Sequence, residues 1–214
     1  MKKVVGVLCH GRHLQTVGWE EIMWGKPPNL LGQLPKMVLV ALEEDAKIVL
    51  LGAGASEIGG KKEAIFTKDY LFSRFSELSL FSAFKGVDLG VAEKKLSKIL
   101  VTDIRPQNTA EEMIYAGPLF ESAGVEKICI VSSPTHLPRC LNEALKFFSR
   151  PGSKFAPHDF VACPSDVGWS SNEDVYIFEP PHRPDDQTGE VRTRIAKMLS
   201  SPEKLLEIKK ALGI

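Results

Sequence analysis

The chain carries no excess of either charge. Its 27 Lys and Arg are matched by 27 Asp and Glu across 214 residues, a formal net charge of zero. That balance removes the bulk positive field a nucleic-acid binder presents, so no nucleic-acid partner is expected. Long apolar runs are missing as well, and none approaches the roughly 18 residues that cross a bilayer. Cysteine is scarce. Cys9, Cys129, Cys140 and Cys163 form no C-x-x-C pair and fit no zinc spacing, so neither a metal module nor a disulfide framework is expected. Structural packing is the reading for all four thiols, and a reducing, cytoplasmic compartment follows from the missing disulfide pattern. Low-complexity tracts and solenoid-period repeats are also absent.

What is present is the material of a folded domain. Hydrophobic residues make up 43% of the chain and charged ones 25%, too apolar for intrinsic disorder and enough for a sizeable core. Met1-Lys2-Lys3 and the six apolar residues Val4 to Cys9 imitate a signal peptide. The run is too short for a secretory segment, and His10, Arg12 and His13 follow at once, so it reads as an opening strand.

Strand-like and helix-like segments then alternate. Further strands are expected at Lys47–Leu51, Lys98–Thr102, Lys127–Ser132, Phe160–Cys163 and Val175–Phe178. Between them, Leu31, Leu34, Val38, Ala41 and Leu42 recur at helical spacing, with Pro35 tolerated in the first turn. One long helix is expected from about 61 to 84, another from Asn108 to Ala123 capped by Gly124, and a third from Leu137 to Phe148. Pro118 should kink or divide the second of these. Two further helices are expected at 188–199 and 202–212.

Continuous apolar strands separated by helices imply a parallel sheet covered on both faces. The expected fold is therefore a three-layer α/β/α sandwich, Rossmann-like and mainly parallel. Residues 1–165 would form the core and 166–214 an elaboration packed on it. In such folds the ligand lies at the carboxyl ends of the strands.

Polar residues gather at those ends. His10, Gly11, Arg12 and His13 follow the first strand, and Gly52-Ala53-Gly54-Ala55-Ser56 the second. The two glycines either cradle a phosphate or only make the turn. Asp103 and Arg105, which can pair at the surface, lead into Asn108, Thr109, Glu111 and Glu112 after the third strand. Thr109-x-x-Glu112 has the capping-box pattern, and Asn108 and Glu111 are ligand candidates. After the fourth come Ser132, Ser133, Thr135, His136 and Arg139. A helix N-terminus favours an anion, an Arg adds a planar fork, and a neighbouring His exchanges protons near neutrality.

The order of Glu63-Ala64, Asn108-Thr109-Ala110-Glu111 and Ser132-Ser133-Pro134-Thr135-His136-Leu137-Pro138-Arg139 resembles the DUF218 family, the YdcF/SanA/ElyC-like proteins, over roughly residues 4 to 165. Glu112 stands where that family has Asn, and Cys140 where it usually has Ala. The resemblance implies a Rossmann-like fold, a ligand pocket at the strand ends, and S-adenosylmethionine as the cofactor one branch is associated with. It places Asn108, Thr109, Glu111, His136 and Arg139 in the pocket.

Three functions are weighed. In the first, an enzyme acts on a nucleotide-like or phosphorylated small anion. Glu111 and His136 are its catalytic residues, and Gly11, Gly52, Gly54, Asn108, Thr109, Ser133 and Arg139 hold the ligand. In the second, the same pocket binds S-adenosylmethionine or a related adenosine ligand without turnover. In the third, Cys9, Cys140 or Cys163 acts as a nucleophile beside a histidine. Trp19 and Trp24 either stack on an adenine or pack in the core. The phenylalanines from 66 to 84 either pack on the sheet or form a lid or homodimer face. Residues 179–186 read as an extended connection. Arg12, Arg105, Arg139, His10, His13 and His136 are expected to form one positive cleft.

Overall fold

The structure, a computed structural model, describes residues 3–148, 153–156 and 159–168. These belong to one compact unit, Met1–Ser170. The strand expected at 175–178, the helices at 188–199 and 202–212, and the connection at 179–186 lie outside the described residues.

In chain order the elements are β1 (Val5–Cys9), α1 (Trp19–Trp24), β2 (Gly25–Lys26), β3 (Leu30–Leu31), α2 (Gln33–Glu43) and β4 (Ile48–Gly52). Then come β5 (Glu57–Ile58), β6 (Lys61–Lys62), α3 (Glu63–Ser73), α4 (Leu89–Ile99), β7 (Leu100–Asp103), α5 (Thr109–Ser122), β8 (Lys127–Ser132), α6 (Leu137–Phe148) and β9 (Phe160–Pro164). The five longer strands form one sheet in the order β7-β4-β1-β8-β9. All its pairings are parallel, with Val7 opposite both Val49 and Cys129. β2 with β3 and β5 with β6 are short antiparallel pairs.

Strand alternation splits the core into two layers. Val5, Val7, Cys9, Val49, Leu51, Cys129 and Val131 face the layer that holds α2 and the α3–α4 region. Leu8, Leu50, Ile128 and Ile130 face the layer of α5 and α6. Gly6 lets α5 approach the sheet, since a Cβ there would lie 2.8 Å from the Phe120 ring. This is a three-layer, Rossmann-like α/β fold. Among the described residues no helix is long and apolar enough to cross a membrane.

Three segments depart from the sequence expectation. The helix expected over 61–84 ends at Ser73, and 3-10 turns follow at Phe75–Leu80 and Ser82–Phe84. Phe75, Leu78, Phe81 and Phe84 are all buried. Their spacing of three matches the three-residue turn of a 3-10 helix, not the 3.6 of an α-helix. These side chains pack in the core, as do Phe66 and Phe72 in part, which fits the sheet-packing reading of the run and not the lid or dimer face. The third strand begins at Leu100 because α4 takes up Lys98 and Ile99. Pro118 does not divide α5, which continues through it to Ser122.

Helix ends follow their caps. Gly124 adopts a left-handed φ of 69° after α5, the conformation that favours glycine at this position. Asp88 caps α4, accepting a hydrogen bond from the Val91 amide at 2.9 Å. Replacing Asp88 with Ala should lower stability by about 1 kcal/mol. A urea midpoint unchanged from wild type would show that this cap contributes nothing.

Candidate functional site

The sheet order reverses between β1 and β8. The chain leaves β1 for β4 on one side and leaves β8 for β9 on the other. Such a switch point opens a crevice at the carboxyl ends of the two strands. His10 and Ser132 stand there, one at each strand end.

His10 is fully buried. Its backbone N–H extends the pairing of β1 with β8 by donating to Val131 O at 3.0 Å. Its Nδ1 lies 2.5 Å from Glu112 Oε2, and the other carboxylate oxygen accepts the Gly11 amide at 2.9 Å. Burial works to raise the Glu112 carboxyl's pKa, but His10 and the Gly11 amide outweigh it and hold it below the usual value. Burial alone would push the His10 imidazole down, yet Cys140 and Glu112 raise it to about 10. The pair is therefore an imidazolium and a carboxylate at neutral pH.

The register of α5 decides which acid reaches this pair. Asn108, not Thr109, is the N-cap: its side chain accepts the Glu111 amide at 3.1 Å and donates to Glu111 Oε1 at 2.8 Å. Glu111 Oε2 accepts the Gln107 amide at 2.8 Å. The capping box is thus Asn108 with Glu111, one residue earlier than the expected Thr109 with Glu112. Thr109, Glu112, Met113, Ala116 and Phe120 then share the buried face. Glu111, expected as a catalytic carboxylate, has both oxygens engaged at the helix start, while Glu112 is the acid at the switch point.

His136 follows β8 and is half-buried. Two hydroxyls hold its ring, Thr109 Oγ1 at 3.2 Å from Nε2 and Ser132 Oγ at 3.2 Å from Nδ1. The two imidazoles meet edge to face with centroids 5.9 Å apart. Gln33 Nε2 ties the strand ends together, donating to His10 O and Ser132 Oγ at 3.4 Å each. Ser133 Oγ is buried without a hydrogen-bond partner among the described residues.

Cys140, in the first turn of α6, is fully buried in the core layer of α5 and α6. Both histidines act on its thiol electrostatically. Burial works to raise its pKa, but His10 and His136 outweigh that and lower it to about 6. Glu112 occupies Nδ1 of His10, while Nε2 is buried without a hydrogen-bond partner among the described residues. Cys9 differs although it precedes His10 directly. Its side chain belongs to the opposite core layer, and burial pushes its thiol far up.

The expected glycines all make room for neighbours. A Cβ on Gly52 would lie 2.8 Å from Glu112 Oε1, and one on Gly54 only 1.8 Å from Ile104 O. The Gly54 amide already donates to Pro106 O at 2.7 Å. A Cβ on Gly11 would sit 2.2 Å from Glu63 Oε1. At the start of α6, the Leu137 amide donates to Ser133 O, and the Arg139 and Cys140 amides to His136 O. Pro138 has no amide hydrogen. An anion here would therefore be met by side chains and not by free amides.

The expected positive cleft is instead a mixed one. His10 pairs with Glu112, and Arg105 pairs with Asp103 on the outer strand while lying 4.4 Å over the Tyr115 ring. The half-buried Arg12 is drawn to Glu63, and His13 is exposed. Carboxylates from α3 and α5 reach the same strand ends as the cations, which the sequence order did not reveal. Trp19 and Trp24 are core residues. Trp19 packs edge-on against Phe66 and Tyr70 and donates its indole N–H to Arg12 O at 3.0 Å. Trp24 packs on Tyr70 and Phe81.

Among the described residues no group of three or more His, Cys, Asp and Glu is placed to hold a metal ion. No family model, curated protein or solved structure matches the chain.

Proposed function

We propose that this protein binds a small anionic, nucleotide-like or phosphorylated ligand at the crevice between the ends of β1 and β8, and acts on it by proton transfer as a hydrolase or transferase. The supporting observation is His136, held between Thr109 and Ser132 beside the buried His10–Glu112 pair. A half-buried imidazole with both nitrogens positioned is suited to general acid–base work. The buried His10–Glu112 pair beside it is a fixed dipole that needs no rearrangement during reaction. Ser133 Oγ, buried without a partner among the described residues, offers an anion a hydroxyl. In the DUF218 reading the same segments, Asn108 to Glu111 and Ser132 to Arg139, line the pocket, and S-adenosylmethionine is one ligand to test.

A thermal-shift panel of nucleotides, S-adenosylmethionine, sugar phosphates and inorganic phosphate tests the ligand class. A true ligand at 100 times its Kd should stabilise the fold by about 2.7 kcal/mol. Stabilisation with turnover supports the enzyme, and stabilisation without turnover the non-catalytic binding module. If no panel member shifts the melting temperature, the ligand class is wrong.

A further inference from the structure

A second carboxyl borders this site, and neither the proton-transfer scheme above nor the sequence candidates use it. Glu63 opens α3 and is 2% exposed. Its Oε2 accepts the Ser56 hydroxyl at 2.5 Å, and Ser56 Oγ in turn accepts the Leu14 amide at 2.9 Å. Its Oε1 lies against Gly11 so closely that a Cβ there would approach to 2.2 Å. The same glycine gives its amide to Glu112 Oε1. One residue is thus flanked by two buried carboxyl groups, one from α3 and one from α5.

Two carboxylates this close inside a protein do not both ionise cheaply, so the better compensated one takes the charge. Glu112 has His10 and the Gly11 amide. Glu63 has one hydroxyl and the attraction of Arg12, from its backbone amide and its guanidinium. We propose that Glu63 is the proton-holding carboxyl of the switch-point site, the neutral counterpart of the ionised Glu112. Its donor role rests on the ligand reading above. In the donation step the O–H bond of Glu63 breaks, an O–H bond forms on the ligand, and the negative charge passes to Glu63. Arg12 is placed to meet that charge: its Nε is buried and has no hydrogen-bond partner among the described residues.

The charges around Glu63 agree. Burial, reinforced by Glu112 and opposed by Ser56 and Arg12, raises its pKa to about 7. The groups facing it are Arg12 from the loop after β1, Glu112 from α5, and His10 behind Glu112. The folded chain therefore keeps a proton that the unfolded chain has lost between pH 4.5 and about 7. Wild-type stability should fall as pH rises through that window, because the native state binds more protons there.

The test uses the full chain labelled with [13Cδ]glutamate and titrated from about pH 5 to 9, a span that covers the shifted range. One carboxyl resonance should titrate near neutrality and be missing from Glu63→Gln. The melting temperature of Glu63→Gln relative to wild type should rise with pH across the same span. A carboxyl titration confined to the ordinary acid range, a neutral-range resonance surviving in Glu63→Gln, or a pH-independent difference in melting temperature would each overturn the proposal. This titration needs no ligand, so it succeeds or fails separately from the panel above. On any panel member that is turned over, the pH–rate limb near neutrality should vanish in Glu63→Gln and persist, displaced, in Glu63→Asp. An unchanged limb in Glu63→Gln overturns the donor role.

Discussion

Glu112→Ala should destabilise the fold by about 3–5 kcal/mol, the range measured when one partner of a buried ion pair is removed. The substitution strips the His10 imidazolium of its counter-charge at a position with no solvent exposure. It also takes the acceptor from the Gly11 amide. Set against a total stability of roughly 5–15 kcal/mol, this is a large fraction. His10→Ala should cost a similar amount, and the double variant less than the sum, because the second deletion removes the charge that the first left stranded. Denaturant midpoints of the four proteins provide the cycle. A loss below about 1 kcal/mol for Glu112→Ala would mean that solvent reaches the pair, since exposed pairs contribute that little.

The pH arms of the same experiment have fixed signs. Glu112 has a folded pKa below its ordinary 4.5, so its contribution is present above that value and disappears as pH falls through the lowered one. His10 is raised from 6.5 to about 10, so its contribution is complete below 6.5 and fades as pH climbs toward 10. The deficit of Glu112→Ala relative to wild type should be greatest between about pH 4.5 and 6.5 and shrink on either side.

The second large effect is on rate. His136→Ala should lower turnover of the identified substrate by about 10²–10⁴-fold, the usual contribution of a positioned acid–base group. His136→Gln can keep hydrogen bonds toward Thr109 and Ser132 without exchanging a proton. It should restore ligand-induced stabilisation but not the rate, which separates a proton-transfer role from a binding one. Turnover within about threefold of wild type in both variants would remove His136 from the chemistry, since a lost acid–base group costs far more. Proton exchange would then fall to other groups at the strand ends.

Much of the architecture was legible before any coordinates. VGVLC, IVLLG and KICIVS are apolar runs without alternation, and each is a strand buried on both faces. Their separation by helices required parallel pairing. The switch-point rule then placed the site at the strand ends, where His10, Thr109, Ser132 and His136 do converge. The 3-10 turns were legible in principle through the period of three in Phe75, Leu78, Phe81 and Phe84, a pattern that reads as helix when only 3.6 is sought.

What the sequence could not decide was which neighbour turns inward. Asn108 and Thr109 are both good caps, and choosing between them moves every later residue of α5 by one position. That single step puts Glu111 at the helix end and Glu112 against His10, 102 residues away in the chain. Charge states were equally out of reach. Glu63 and Glu112 are the same residue type, yet one is raised to about 7 and the other lowered. Burial and the partners brought up by other elements set that difference, and neither is a property of local sequence. The residues themselves determined a parallel α/β sheet and the edge on which its polar groups gather. Only the tertiary packing decided which of those groups are paired, which carry charge and which hold a proton, because each of those outcomes depends on contacts between segments far apart in the chain.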